Sequence, residues 1–222
     1  MELRVAIPMT QRAFYPGTAI SANKARMESI GKKYARELEQ ASMLTNVPLP
    51  LLLAVTFTES AGQAQIVSSA GAVGLMQLKP QTANDVIFLE SQAGRLSSQE
   101  LNVLRRHLGK RLDGPLKQKY LSHKIRENNF SGNALTRTDL QTPELNLLLG
   151  AMLLGILIDQ HREGASLRLD KALVRYNRGY FFKLPSTDVE KTLDFVKGKS
   201  GEAYAYALKV IGRNGLLETV AT

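Results

Sequence analysis

Apolar and polar positions follow a helical period through most of the chain. Ile30, Tyr34, Leu38 and Ala41 recur at spacings of three and four, with Lys32, Lys33 and Arg36 off that face. They predict one amphipathic helix from a Ser21 cap to about Leu44. Thr45-Asn46 breaks the pattern, and Pro48 and Pro50 suit the first turn of a second helix, where a missing N–H costs nothing. Leu51 to Phe57 is almost wholly apolar, which predicts a buried helix stopped near Gly62, with Thr58 and Glu59 at its C-terminal end. Ser68-Ser69, Gly71 and Gly74 mark 63–74 as loop, and a short helix is predicted over about Leu75 to Val86, irregular at Pro80. Leu101, Leu104, Leu108 and Leu112 continue a helical stripe. A core helix is predicted over 143–161, with Gly150 and Gly155 allowing close helix contact. Another starts at Asp170 and stops at Gly179, and two more fit at about 187–197 and 201–212. No strand pattern is strong, although a short hairpin fits in 60–75 or 120–138, and there is no internal repeat. The expectation is a mainly α protein: an irregular N-terminal arm over 1–19, broken at Pro8 and Pro16-Gly17, then a single helical domain over 20–222.

Composition narrows the class. With 222 residues, 44% hydrophobic and 22% charged, the chain can bury an ordinary globular core. Its net charge of +9 suits a polyanionic partner, whether nucleic acid, anionic membrane or an acidic polymer. Much of that charge is local. Residues 90–138 carry ten Lys/Arg (Arg95, Arg105, Arg106, Lys110, Arg111, Lys117, Lys119, Lys124, Arg126, Arg137) against four acids (Glu90, Glu100, Asp113, Glu127), a basic insertion. No helix-turn-helix, RNP or zinc-finger pattern accompanies the charge and aromatics are only 6%, so nucleic acid is not the expected partner. The absence of cysteine excludes a disulfide scaffold, a Cys-ligated zinc and a cysteine nucleophile. His107, His123 and His161 lack HExxH-type spacing, so neither a metal site nor a cofactor is expected. The apolar run Leu145 to Ile158 spans about 14 residues against the ~20 needed to cross a bilayer, and reads as a core helix with no transmembrane segment.

Glu59 draws attention on chemical grounds. It follows an apolar run near a helix C-terminus, where desolvation and the negative helix end both favour the protonated carboxyl. A carboxylic acid kept protonated near neutral pH can serve as a general acid. The same position also suits a surface Glu on the polar side of an amphipathic helix.

The segments around it favour the chemical reading. Glu59-Ser60 is followed by Ser68, then Gly71-Ala-Val-Gly74-Leu-Met76-Gln77-Leu, and Pro80-Gln-Thr82-Ala83. Further blocks are Pro143-Glu144-Leu-Asn146 leading to Gly150, Ala172-Leu-Val-Arg-Tyr176-Asn177-Arg-Gly179, and Glu202-Ala-Tyr-Ala-Tyr206. In this order the blocks resemble the soluble lytic transglycosylase family, which has the goose-type lysozyme fold. The resemblance spans residues 50–210 and implies a lysozyme-like helical domain with at most a minor hairpin. It implies a peptidoglycan-cleaving enzyme that acts on the MurNAc-GlcNAc β-1,4 glycosidic bond. Glu59 would be its single catalytic acid and base. Ser68 and Gln77 would hydrogen-bond sugar groups, and Met76 would sit in the cleft wall. Tyr176 would approach the Glu59 carboxyl, Asn177 would buttress that corner, and Tyr206 would line the cleft. Ser68 and Gly71 also read as turn residues only, Met76 as plain core, and Tyr204 could take the place of Tyr206.

One feature agrees without the family. Most glycosidases flank the bond with two carboxylates, yet after Glu59 the next acid is Asp85. A one-acid site suits a substrate-assisted route ending in 1,6-anhydro-MurNAc, while attack by water would make it a hydrolytic muramidase. Two other readings share the fold: a peptidoglycan endopeptidase, for which no zinc ligands or evident nucleophile arrangement are present, and a non-catalytic wall-binding virion protein, which an intact Glu59 argues against. The chain departs from the family in Ala61-Gly-Gln-Ala, small and polar where an aromatic is common, and in the basic 90–138 stretch, which reads either as a lobe that holds acidic wall polymer or as a solvated insertion. Met1 to Gly17 lacks the features of a secretory signal. Action on the periplasmic wall is then expected of a phage lysin or a virion enzyme, with a cell-wall enzyme of a secretion system or a trimmed chain as the alternatives, and with other virion or envelope-complex proteins as partners.

Overall fold

A computed structural model describes residues 9–121, 135–164 and 166–221. Twelve α-helices order these residues: α1 (Ile20–Lys33), α2 (Ala35–Thr45), α3 (Leu49–Ser60), α4 (Pro80–Gln92), α5 (Ser98–Leu108), α6 (Asp113–Leu116), α7 (Arg137–Leu140), α8 (Pro143–Gln160), α9 (Leu169–Arg178), α10 (Val189–Lys199), α11 (Gly201–Ile211) and α12 (Leu216–Ala221). The two strands β1 (Arg162–Glu163) and β2 (Ser166–Leu167) pair antiparallel, Arg162 opposite Leu167 and Glu163 opposite Ser166. The described residues fall into two compact units. A central unit is drawn from 33–49 and 59–152, and a terminal unit from 1–32, 50–58 and 153–222.

Local chemistry explains where the elements depart from the expected ones. The single helix expected to Leu44 is two, because Tyr34 leaves helical geometry (φ −121°, ψ 28°) between α1 and α2. Its buried hydroxyl donates to the Gly62 carbonyl at 3.1 Å, within the central unit. The helix expected over Leu75 to Val86 begins only at Pro80 and runs on to Gln92. Lys79 is extended, as the residue before proline prefers, and Pro80 occupies the first helical turn. The hairpin at 162–167 was not legible in the sequence. In 60–75, isolated bridges instead join Val73 to Val67 and to Leu78. The alternative hairpin in 120–138, like His123, Lys124, Arg126 and Glu127 of the basic insertion and residues 1–8 of the arm, lies outside the described residues.

In the central unit, Leu38, Ala41, Val73, Leu75, Met76, Leu78, Ile87, Leu104, Leu140 and Leu145 are buried. A Ser97–Glu100 capping box starts α5, each side chain meeting the other residue's backbone N–H. The 18 residues of α8 are long and apolar enough to cross a membrane by length and composition alone, and 72% of them are buried inside the protein. Gly150 of α8 sits against Met76 so closely that a Cβ there would come within 2.5 Å of the Met76 Cβ.

The terminal unit packs Val174 of α9, Val189, Leu193 and Val196 of α10, and Ala203, Ala207 and Leu208 of α11 into one core. At the start of α9, Asp170 is fully buried and takes both arms of the Arg168 guanidinium, at 2.9 and 2.7 Å. Arg168 also donates to the Thr187 carbonyl at 2.6 Å, which ties the approach to α10 to the start of α9. The described part of the arm lies along the C-terminal helices. Arg12 pairs with Asp194 at 2.7 Å and Glu190 at 2.6 Å, and its carbonyl accepts from Arg213 N–H at 2.9 Å.

Two glycines in helices should respond with opposite signs to alanine. Gly150→Ala should cost about 1–3 kcal/mol, because the clash falls on the root of the Met76 side chain. Gly198→Ala, where an added Cβ meets nothing within 4 Å, should stabilise by up to about 1 kcal/mol through helix propensity. Urea denaturation of both variants reads the difference. A neutral or stabilising Gly150→Ala would show that the contact is not tight.

Candidate functional site

Glu59 is the penultimate residue of α3 and is partly exposed, whereas Leu51, Leu52, Ala54, Val55 and Thr56 before it include the most buried positions of the helix. The helix thus delivers one carboxyl to the surface from an apolar stem. Ser60 fixes the turn that comes after the helix. Its buried hydroxyl donates to the Leu75 carbonyl at 2.9 Å and accepts the Gly62 N–H at 3.1 Å. Ala61 between them takes a left-handed backbone (φ 48°). Such a conformation costs a non-glycine residue about 1 kcal/mol or more and persists only where its surroundings impose it.

The segment 66–78 is built from turns. Ser68 N–H donates to the Ala72 carbonyl at 2.8 Å, and its Oγ accepts from Ala72 N–H at 3.0 Å, so Ser68 closes the tip at Gly71. Val73 and Leu78 exchange both backbone bonds, at 2.9 and 3.0 Å, around a tight turn that presents Gln77. Gln77 is itself left-handed (φ 47°) and partly exposed. Its amide nitrogen donates inward to the carbonyls of Gly74 at 3.0 Å and Ile66 at 3.4 Å. With both N–H groups occupied, Gln77 offers its Oε1 as an acceptor.

Asn146, completely buried in the first turns of α8, holds this turn from beneath. Its Oδ1 accepts Met76 N–H at 2.7 Å, and its Nδ2 donates to the carbonyls of Val73 at 2.9 Å and Leu140 at 2.8 Å. Gly74, with φ 79°, leaves room for it: a Cβ there would overlap the Leu140 carbonyl and the Asn146 amide. Met76 is wholly buried against Gly150. The expected cleft-wall methionine is therefore a packing residue, because no side-chain surface remains to face a ligand.

The flanking segment is pinned by charge. Arg111 grips Asp139 with two bonds, at 2.5 and 2.7 Å, and Asp139 also accepts from the Thr136 N–H and hydroxyl, each at 2.7 Å. Burial works against the Asp139 carboxylate, but these partners outweigh it and hold its pKa down at about 2. Glu144 is ion-paired with Arg106 and hydrogen-bonded to His107 Nε2 at 2.7 Å. Gln65 and Gln141 exchange side-chain to carbonyl bonds, both 3.2 Å, across the same region.

Glu59, Ser68, Met76 and Gln77 thus belong to one unit, connected through Ser60 and Asn146. Tyr176, Asn177 and Tyr206 belong to the other. Tyr176, near the end of α9, stacks on Tyr206 of α11, rings 6.5 Å apart and 11° from parallel. Tyr206 is only 5% exposed, so the pair is chiefly a helix-to-helix contact. Asn177 Nδ2 donates to Glu202 at 3.3 Å, and its buried Oδ1 has no hydrogen-bond partner among the described residues. Tyr204, the alternative to Tyr206, packs on the α9–α11 core with Lys197 over its ring. Among the described residues no group of three or more His, Cys, Asp or Glu side chains could hold a metal ion.

The helical architecture and this site define a lysozyme-like, mainly α fold, and similarity to known proteins points the same way. Residues 36–101 match the family described as Transglycosylase SLT domain. Over 67 residues the chain is 39% identical to Membrane-bound lytic murein transglycosylase F 2 of Alkalilimnicola ehrlichii, a stretch covering 30% of this chain and 15% of that protein. The family match contains Glu59, Ser60, Ser68, Met76 and Gln77 and stops short of Asn146, Tyr176, Asn177 and Tyr206. Sequence reasoning assigned no task to Ser60 or Asn146. Their signals were present, a hydroxyl next to the acid and an amide inside an apolar helix, but only the fold shows which backbone groups they reach.

Asn146→Ala should destabilise by about 3 kcal/mol or more, since it strands buried backbone groups. A loss under about 0.5 kcal/mol in denaturant titration would contradict the bonding scheme. Acid titration tests Asp139. Its depressed pKa contributes stability that is complete above the ordinary carboxylate pKa of about 4 and is lost as pH falls towards about 2. Asp139→Asn should flatten that part of the stability–pH curve, and an unchanged slope would count against the Arg111 clamp.

Proposed function

We propose that the protein cleaves peptidoglycan glycan strands between MurNAc and GlcNAc, with Glu59 as general acid and then base. The observation that carries this reading is the arrangement in which α3 brings Glu59 to its end and the next residue, Ser60, bonds the turn that presents Gln77. The similarity over 36–101 supports it. Glu59 donates its proton to the bridging oxygen as the glycosidic bond breaks, and the substrate's own N-acetyl oxygen stabilises the developing cation at C1. As carboxylate, Glu59 then takes the proton of the sugar's 6-hydroxyl, whose oxygen bonds C1 and closes the 1,6-anhydro ring. The route needs one protein carboxyl, and the next acid along the chain, Asp85, accepts from Gln118 at 2.8 Å. Gln77, through its Oε1, accepts from an N-acetyl N–H or a hydroxyl, and the Ser68 hydroxyl makes a second sugar contact.

Mass spectrometry of digested peptidoglycan tests the chemistry. Wild type should release anhydro-muropeptides, and Glu59→Gln should slow release by about 10²–10⁴-fold. Reducing ends would mean hydrolysis by water. New amino groups with intact glycan, or full activity in Glu59→Gln, would refute the reading.

The basic 90–138 stretch is less free than its composition suggests. Arg95, Arg106, Arg111 and Lys117 are ion-paired to Glu90, Glu144, Asp139 and Asp113. Arg105 and Lys110 are exposed and lie outside these pairs. If this surface holds acidic wall polymer, converting both to Glu should weaken binding to purified walls by about threefold to tenfold at low salt, with the difference fading as salt screens it. Unchanged binding at low salt removes the surface from the scheme.

A further inference from the structure

The short helix α7 sets a cation beside the turn that carries Ser68. Gly71, at the tip of that turn, has a left-handed backbone (φ 79°) and no side chain, and a Cβ built on it would lie 3.9 Å from the Arg137 Nη2. The guanidinium therefore rests close against bare backbone. Both ends of α7 are fastened within the central unit. At its start, Thr136 and Asp139 form a capping box, and Arg111 holds Asp139. At its end, the Leu140 carbonyl accepts from Asn146, and Gln141 exchanges bonds with Gln65, both 3.2 Å. Arg137 itself is exposed. The next two carboxylates along the chain are already engaged, Asp139 by Arg111 and Glu144 by Arg106 and His107. Among the described residues no carboxylate pairs with Arg137. Ser68 adds a donor to the same turn, because its Oγ accepts from Ala72 N–H at 3.0 Å and keeps its own hydroxyl hydrogen to give. One turn thus presents a hydroxyl and, laid against its tip, a guanidinium with no acid to neutralise it.

We propose that Arg137 is a specificity residue that binds a carboxylate carried by the glycan strand beside the Ser68 turn. This proposal deepens the reading of the protein as a glycan-strand enzyme and rests on that reading for the identity of the polymer. A guanidinium matches a carboxylate with two parallel N–H bonds. Arg137 gains such a pair without breaking one inside the protein, whereas Arg106 and Arg111 would have to give up Glu144 and Asp139. Because α7 is held at both ends, the backbone that carries the cation needs no ordering when the strand binds. Peptidoglycan offers carboxylates of two origins: the lactyl group of a muramyl sugar that has lost its peptide, and the acidic residues of the peptide itself. Both present the same chemistry to Arg137, and a neutral glycan presents none.

The test uses the full chain and soluble, uncross-linked glycan strands bearing their peptides, either native or with every carboxylate converted to an amide. Arg137→Gln should raise KM on the native strand by about threefold to tenfold with kcat unchanged, and flatten the salt dependence of KM. Its KM on the amidated strand should match that of wild type. Arg137→Lys should recover part of the loss, since an ammonium keeps the charge without the fork. Lys32→Gln removes an exposed cation from α1 and should change nothing. An unchanged KM with folded Arg137→Gln, an equal loss on the amidated strand, or the same loss with Lys32→Gln overturns the proposal. Strands stripped of peptide assign the carboxylate. Sensitivity to Arg137→Gln that persists on them supports the lactyl group, and sensitivity confined to peptide-bearing strands supports the peptide. Titration calorimetry in the Glu59→Gln background, where bound strand stays intact, separates this idea from the proposed reaction. Arg137-dependent binding of the native strand without any cleavage by wild type removes the reaction and keeps the carboxylate site. Normal anhydro products with a silent Arg137→Gln remove the carboxylate site alone.

Discussion

The buried amide of Asn146 sets the geometry on which the central unit depends. Three backbone groups converge on it, from the Val73–Leu78 turn and from Leu140 at the end of α7. An amide carries donors and an acceptor on one rigid plane, so it can bind two carbonyls and one N–H where an apolar side chain would leave all three unmet. The arrangement also requires close approach. Gly74 lets the turn reach the amide, and Gly150 lets Met76 lie flat on α8. From there the chain of contacts runs outward through Leu75 to the Ser60 hydroxyl, and so to the end of α3 and Glu59.

That chain of contacts gives the Glu59 carboxyl and its neighbours distinct physical settings. Glu59 stands at the end of an apolar stem, on a helix whose earlier turns are largely dry. Gln77 is oriented by committing its two N–H groups to backbone carbonyls, which leaves its oxygen as an acceptor. The left-handed backbones of Ala61 and Gln77 flank this corner, and both sit in turns that hydrogen bonds close. Strain held in place by surrounding bonds is a means of presenting side chains that relaxed backbone would turn elsewhere.

Charge has two different uses in this protein. In the terminal unit, Arg168 and the fully buried Asp170 offset their desolvation with paired bonds and fix where α9 begins. A buried pair of this kind contributes more to geometry than to net stability. In the central unit, Arg106 and Arg111 reach back to Glu144 and Asp139 around the start of α8. Most of the cations that make the sequence look basic between Arg95 and Lys119 therefore serve the fold, and a count of charges overstates what remains for a polyanion.

Much of this was legible in the chain. The apolar runs Leu51 to Phe57 and Leu145 to Ile158 determined two buried helices, because an apolar surface on every side leaves a helix no stable place but a core. Gly179 marked the end of α9, and the order of short motifs around Glu59 pointed to the Transglycosylase SLT domain that residues 36–101 match. Other features depend on partners distant in the chain. The kink at Tyr34, the late start of α4 and the 162–167 hairpin have no sufficient local signal. Burial of Met76, the inward turn of the Gln77 amide and the stacking of Tyr176 on Tyr206 were likewise decided by contacts that form only in the folded chain. Side-chain pattern along a sequence determines which surfaces must be hidden from water. Which donor meets which acceptor is decided only when the elements pack, since hydrogen-bond geometry is a property of positions in space.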